Sequence, residues 1–263
     1  MLTRYLFVAR VAARRQWFYR RELFWRSISM ILFMVVFIAL WKTAYQVSGR
    51  SELAGYSLAQ VIWYLGMAET VMLSTSRSFV EISEAVKSGS VAYELARPLS
   101  YPLLQLARSL GNSAPRFLLN LMVALLVVLL GTGQLVGSVP GLLAFLLTAG
   151  LALLLDALFA VLIGLLAFWI EEVMPVYLIY QKLLFSIGGL FLPLEIFPLW
   201  LQRAAKWLPF QLIAYTPARA YVAFDVGELV RGVMGQLVYI GVLSGVLWLL
   251  WRLVQRRLVV HGG

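Results

Sequence analysis

Mostly apolar runs recur along the chain over residues 27–45, 58–76, 103–130, 142–168, 176–192 and 229–250. A helix needs about 20 such residues to cross the hydrocarbon of a bilayer. The pattern therefore predicts an all-α integral membrane protein with six transmembrane helices, the whole of residues 1–263 forming one transmembrane domain. The third run is longer than a span requires. Its first turns are expected to project into the interface, with Pro115 as a kink site.

Three stretches depart from that pattern. Residues 1–26 place Leu2, Tyr5, Leu6, Ala9, Ala12 and Ala13 on one side of a helix, with Arg4, Arg14 and Arg15 opposite. That is the signature of an amphipathic helix lying in the membrane interface, its arginines on anionic headgroups. Residues 77–102 open the longest polar interval, RSFVEISEAVKSGSVAYELARPLSYPLLQLARSLGNSAPR. Phe79, Ile82 and Val86 share a helical face, and Glu81, Glu84 and Lys87 fall elsewhere. Ser88, Gly89 and Ser90 break that helix; a second short helix ends before Pro98. A pair of short helices held between two spans is suited to receive a push from a partner. Phe79, Ile82 and Tyr93 are its candidate apolar knobs, and Glu81, Glu84, Glu94 and Arg97 its polar rim. Residues 193–221 are apolar but carry Pro193, Pro198, Pro209 and Pro217. Such a segment cannot be a straight span. It predicts a re-entrant hairpin on the outer side, with an amphipathic piece over residues 199–207.

Charge orients the array. The chain is 62% hydrophobic and only 13% charged, with a net charge of +10. In a soluble protein that excess would suggest nucleic acid; here topology accounts for it, and no nucleic-acid partner is expected. Seven arginines precede residue 27, five Lys or Arg residues lie in the second-to-third loop and three in the tail; six lie on the opposite side. The positive-inside rule then puts both termini and residues 77–102 in the cytoplasm.

Candidate chemistry is sparse. No lysine follows a glycine, so a phosphate-binding loop is absent and the chain is not expected to be an enzyme. There is no cysteine, and the lone His261 near the end reads as a solvated tail residue, so no metal site is expected. Glu69, Asp156 and Lys182 fall inside spans and should face the bundle or a wet cavity. They read either as a translocation path or as structural glue between helices. Lys182 lies about 10 Å nearer the inner end than Asp156, which makes Glu171 or Glu172 its easier partner. Gly241 and Gly245 form a close-packing pair in the sixth span, expected to serve packing within the chain.

The order of these elements resembles the permease subunits of type-2 ABC exporters. Glu94-Leu95-Ala96-Arg97-Pro98-Leu99-Ser100-Tyr101-Pro102 is similar to an element that follows the coupling helix in a bacterial six-span, half-size branch. Gly189-Leu190-Phe191-Leu192-Pro193-Leu194-Glu195-Ile196-Phe197-Pro198, with Leu208-Pro209-Phe210 and Pro217, is similar to the outer hairpin of that branch. The resemblance implies a separate ATPase that binds ATP and Mg, a second permease chain (identical or different), and a bacterial cytoplasmic (inner) membrane location. It implies export of a hydrophobic or amphipathic substrate such as a drug, lipid or glycan. The alternative is an ion-coupled carrier or channel working without an ATPase. Inverted repeats would favour a carrier, but the polar loop and the proline hairpin have no counterpart in the other half. A non-transporting scaffold would have no need of the hairpin.

Overall fold

The computed structural model describes residues 2–18 and 20–261. The side chains of residues 2, 20–23, 26 and 258–261 lie outside the described residues, and with them the expectations for Leu2, Arg20, Arg21, Arg26 and His261. In chain order the helices are α1 (Leu2–Phe18), α2 (Arg20–Ser48), α3 (Leu58–Ser74), α4 (Ser78–Lys87), α5 (Val91–Leu95), α6 (Tyr101–Thr132), α7 (Val139–Leu165), α8 (Met174–Ile187), α9 (Leu199–Lys206), α10 (Tyr215–Val222) and α11 (Val226–His261). Short 3-10 turns at Leu166–Phe168, Leu194–Ile196 and Pro209–Leu212 join or extend them. The two strands, β1 (Glu52–Leu53) and β2 (Tyr56–Ser57), pair antiparallel with Leu53 opposite Tyr56. Ala54 and Gly55 make the turn, both at positive φ as a two-residue hairpin requires.

Among the described residues, four helical stretches are long and apolar enough to cross a membrane: Ser27–Ser48, Tyr101–Thr132, Val139–Phe168 and Val226–Arg257. The other two expected spans are shorter. α3 has 17 residues and α8 has 14, or about 26 Å and about 21 Å at the helical rise. The predicted fifth span over residues 176–192 stops at Ile187. There the Gly188 N–H bonds the Leu184 carbonyl, and Gly189 turns to φ +73°. α6 runs unbroken through Pro115 for 32 residues.

α3 is the centre of the bundle. Every residue from Val61 to Val71 is buried, with α2, α6, α7 and α10 packed around it. Its start is a reciprocal capping box between Ser57 and Gln60. Deep inside an apolar phase, close fit rather than water exclusion holds helices together. Trp63 and Tyr64 carry their own polar tips into that core: the indole donates to the Gln134 carbonyl at 2.9 Å, and the phenol to the Gly189 carbonyl.

The expectation for α1 needs correction. Ala12 and Gln16 are buried and Tyr5 and Ala9 half-buried, and this face packs on α6 rather than on acyl chains. The approach is so close that a Cβ on Gly111 would lie 2.3 Å from the Ala9 carbonyl oxygen. Phe7, Val11, Trp17 and Phe18 project outward among Arg4, Arg10 and Arg14. Gly241 and Gly245 are likewise corrected. A Cβ on either would meet nothing within 4 Å, because α11 packs through Leu243 and Leu247 instead.

Candidate functional site

A cavity of about 300 Å³ lies between α2, α3, α7 and α8, lined in part by Glu69, Asp156, Arg77, Tyr177 and Gln181. Two of the three predicted intramembrane charges thus meet on one space. Glu69 shares its stripe of α3 with Met72 and Leu73, one turn on, which also line the cavity. Asp156 is 4% exposed and accepts a 2.8 Å hydrogen bond from the buried Tyr180 hydroxyl. Glu69 is 7% exposed, and its carboxylate has no hydrogen bond among the described residues. A carboxyl group in such a place is costly unless something polar shares the space.

Lys182 does not join them. It is exposed on α8, and Glu172, one of its two expected partners with Glu171, pairs with Lys87 at 2.5 Å. Of the three residues, Glu69 and Asp156 line the cavity, beside Tyr177 and Gln181, while Tyr180 reaches it only through its hydrogen bond to Asp156. Sequence periodicity could not find Tyr177 and Tyr180, because aromatic residues are ordinary on an apolar helix.

The α4–α5 unit sits at one end of this cavity. Gly89 lies at φ +72° and lets the chain reverse between the two helices, as predicted. The roles of Phe79 and Ile82 are corrected. They are 1% and 0% exposed and cannot act as outward knobs. Ile82 fits against Gly164 of α7, and Phe79 stacks on Tyr177 with ring centroids 3.9 Å apart. Phe79 thus joins α4 directly to a wall of the cavity. Tyr93, 80% exposed, remains outward, as do Glu81, Glu84 and Arg97.

Glu94 is also corrected. Its carboxylate accepts from Arg108 at 2.6 Å and Gln105 at 2.8 Å, both on α6, so it is a brace and not a free rim charge. Glu81 and Arg15 approach to 3.9 Å on an exposed surface, where a pair contributes little. Arg116, counted with the loop, is buried in α6; it donates to the Thr75 carbonyl at the end of α3 and to Gln16 of α1. These contacts predict a split. Glu94→Lys is expected to weaken folding of the α5–α6 corner, whereas Glu84→Lys is expected to leave melting in detergent unchanged. Thermal unfolding of the two purified variants checks it.

At the opposite end, the proline-rich segment folds into short helices packed on the bundle. α9 matches the predicted amphipathic piece and exposes Leu199, Trp200 and the following Trp207. α10 is inserted against α3 and α7. Glu195 ties the parts together: Oε1 accepts from Tyr56 (3.1 Å), Tyr215 (2.6 Å) and Arg219 Nε (3.1 Å). Burial first, and then the Glu195 charge, hold the Tyr56 and Tyr215 phenols well above the usual tyrosine range. Both therefore stay protonated as donors. Arg219 continues the chain to Glu228 at 3.5 Å. On α11, Gln236 donates to the Thr148 and Leu212 carbonyls at 2.8 and 2.9 Å. An acid amid prolines was visible in the sequence, but its three donors come from residues as distant as Tyr56.

Over residues 22–262 the chain matches the model of a family described as ABC-2 family transporter protein. No match was found among curated proteins.

Proposed function

Because the chain belongs to the ABC-2 transporter family, and so is the integral membrane permease of an ABC transporter, we propose that it drives export of a hydrophobic or amphipathic substrate. In this reading a separate ATPase binds ATP and Mg and does the hydrolysis, and this chain has no enzymatic activity of its own. Pairing with an ABC ATPase is general in the family. The chain crosses the bacterial inner membrane six times, both termini are cytoplasmic, and residues 77–102 are the part the ATPase moves. α3 and α8 are included as spans because protein surrounds α3, and the chain runs on from the end of α8 through the non-helical residues 188–192 into the proline-rich segment.

The observation that carries the reading is the Phe79–Tyr177 stack. It joins the one pair of short helices in the polar loop to the cavity that holds Glu69 and Asp156. The ATPase would grip the outward side of α4–α5, through Tyr93, Glu81, Glu84 and Arg97. Its motion would pass through α4 to Tyr177 and α8. A second permease chain, the same or different, would cover the outward face of α8, where Lys182 stands among Leu178 and Ile179. A lysine on such a face is costly against lipid and acceptable against a polar partner. Lipid headgroups would take the arginines and aromatic residues of α1.

Topology provides a direct test. The chain has no cysteine, so one introduced thiol is unique. Ser88→Cys is expected to react with an impermeant maleimide only from the cytoplasmic side, and Arg203→Cys only from outside; both positions are exposed. Labelling of Arg203→Cys from the cytoplasm alone would overturn the orientation. Purification of the tagged chain should bring down an ATPase whose turnover depends on the permease. Full transport by the chain reconstituted without nucleotide would favour a carrier instead.

A further inference from the structure

The lining of the Glu69–Asp156 cavity is more specific than export of an amphipathic substrate requires. The inference below rests on the permease reading and names the substrate class for the same site. Two carboxyl groups arrive from α3 and α7 on a space of about 300 Å³, the lower end of the range of small-molecule sites, about 300–1,000 Å³. The lining is also aromatic. Phe33 of α2 lies 6.2 Å from Phe191, and Phe185 of α8 lies 5.7 Å from the same ring, between centroids. Tyr177 adds a fourth ring on the side of α4. Among the described residues that line the cavity, the one cation is Arg77. It sits just before α4 and is itself exposed, so it marks the mouth and not the interior.

We infer that the cavity selects lipophilic cations: an amine, quaternary ammonium or phosphonium group set between Glu69 and Asp156, with its apolar body against Phe33, Phe185 and Phe191. Carboxylates and aromatic faces are the two protein groups that attract a desolvated cation, the second through the ring quadrupole. An anionic substrate would face two acids with no interior cation to answer it. A neutral one would leave Glu69 without a partner. Asp156 keeps its Tyr180 hydrogen bond on one oxygen, which holds the carboxylate in place and leaves the other oxygen to the ligand. Arg77 at the mouth would oppose loss of the cation back towards α4.

The test is equilibrium binding of ethidium, read by fluorescence anisotropy, to the full chain in nanodiscs of zwitterionic lipid. The neutral dye Nile red serves as comparator. Saturable ethidium binding is expected. Glu69→Gln and Asp156→Asn should each weaken it at least tenfold, their combination should abolish it, and Asp156→Glu should restore most of it. Nile red binding should change by less than twofold throughout. If Asp156→Asn fails to assemble, Glu69→Gln decides alone, since its carboxylate holds no hydrogen bond among the described residues. Ethidium binding that is absent in the wild type, or equal in wild type and Glu69→Gln, would overturn the inference. The assay needs neither ATP nor an ATPase. Selective cation binding without ATP-driven transport would count against the exporter reading alone. ATP-driven transport with no preference for cations would count against this inference alone.

Discussion

Gly164→Val is expected to leave the permease inserted and bound to its ATPase, but to lower ATP-driven transport at least tenfold while ATP turnover continues. The reason is geometric. A Cβ at position 164 would lie 2.8 Å from Ile82 Cδ1, 2.9 Å from Ile82 Cβ and 3.1 Å from Phe79 Cα. Two of those atoms belong to the stem of α4 and not to a flexible tip. α4 must therefore move as a body, at a cost of about 1–3 kcal/mol for overpacking. The Phe79–Tyr177 stack, with rings inclined at 17°, cannot survive such a displacement. Gly150→Val on the same helix is the control. A Cβ there meets nothing within 4 Å, and the variant should transport at the wild-type rate. Phe79→Ala should reproduce the uncoupling by removing the link itself, and Tyr93→Ala should weaken ATPase binding instead. The ratio of substrate moved to ATP hydrolysed, measured in proteoliposomes, separates these cases. A Gly164→Val variant with a wild-type ratio would remove α4 from the transmission route.

The second large effect lies at the other end of the bundle. Glu195→Ala is expected to destabilise the protein in detergent by about 2–4 kcal/mol. Three donors lose one carboxylate oxygen, and Arg219 is left with only the longer contact to Glu228. The Arg219 and Glu195 side chains are 23% and 30% exposed. Water can therefore reach the vacated site in part, which keeps the expected cost below that of a fully buried pair. Glu195→Gln should fall between, because an amide oxygen still accepts from a phenol but carries no charge for Arg219. Thermal melting of the three proteins checks the order. In Glu195→Ala, Arg203→Cys should also label faster as α9 loosens. Equal melting for all three would mean that apolar packing of α10 alone holds the segment.

Periodicity carried much of this architecture because it reports which residues are apolar and how far apart they stand. Residues 199–207 and the Ser88–Gly89–Ser90 break could be placed from it to within a residue or two. It does not report what covers an apolar face. Phe79 and Ile82 have the same spacing whether they meet a partner protein or Gly164 and Tyr177 of their own chain. Lys182 follows the same logic: its place within an apolar run was legible, its direction around α8 was not. The pairs Glu94–Arg108 and Tyr56–Glu195 join residues from separate elements, and no local pattern encodes them. That Glu69 and Asp156 share a cavity follows from how α3 and α7 cross, although each acid was marked beforehand by the cost of burying a charge.

The central claim is that work done by an ATPase reaches the Glu69–Asp156 cavity through α4. Its most direct measurement is uptake into inside-out proteoliposomes holding the permease and its copurified ATPase, with and without ATP, for the wild type and Phe79→Ala. The account predicts uptake by the wild type only when ATP is hydrolysed, and hydrolysis without uptake by Phe79→Ala. Uptake at the same rate without ATP, or an unchanged yield per ATP in Phe79→Ala, would contradict it.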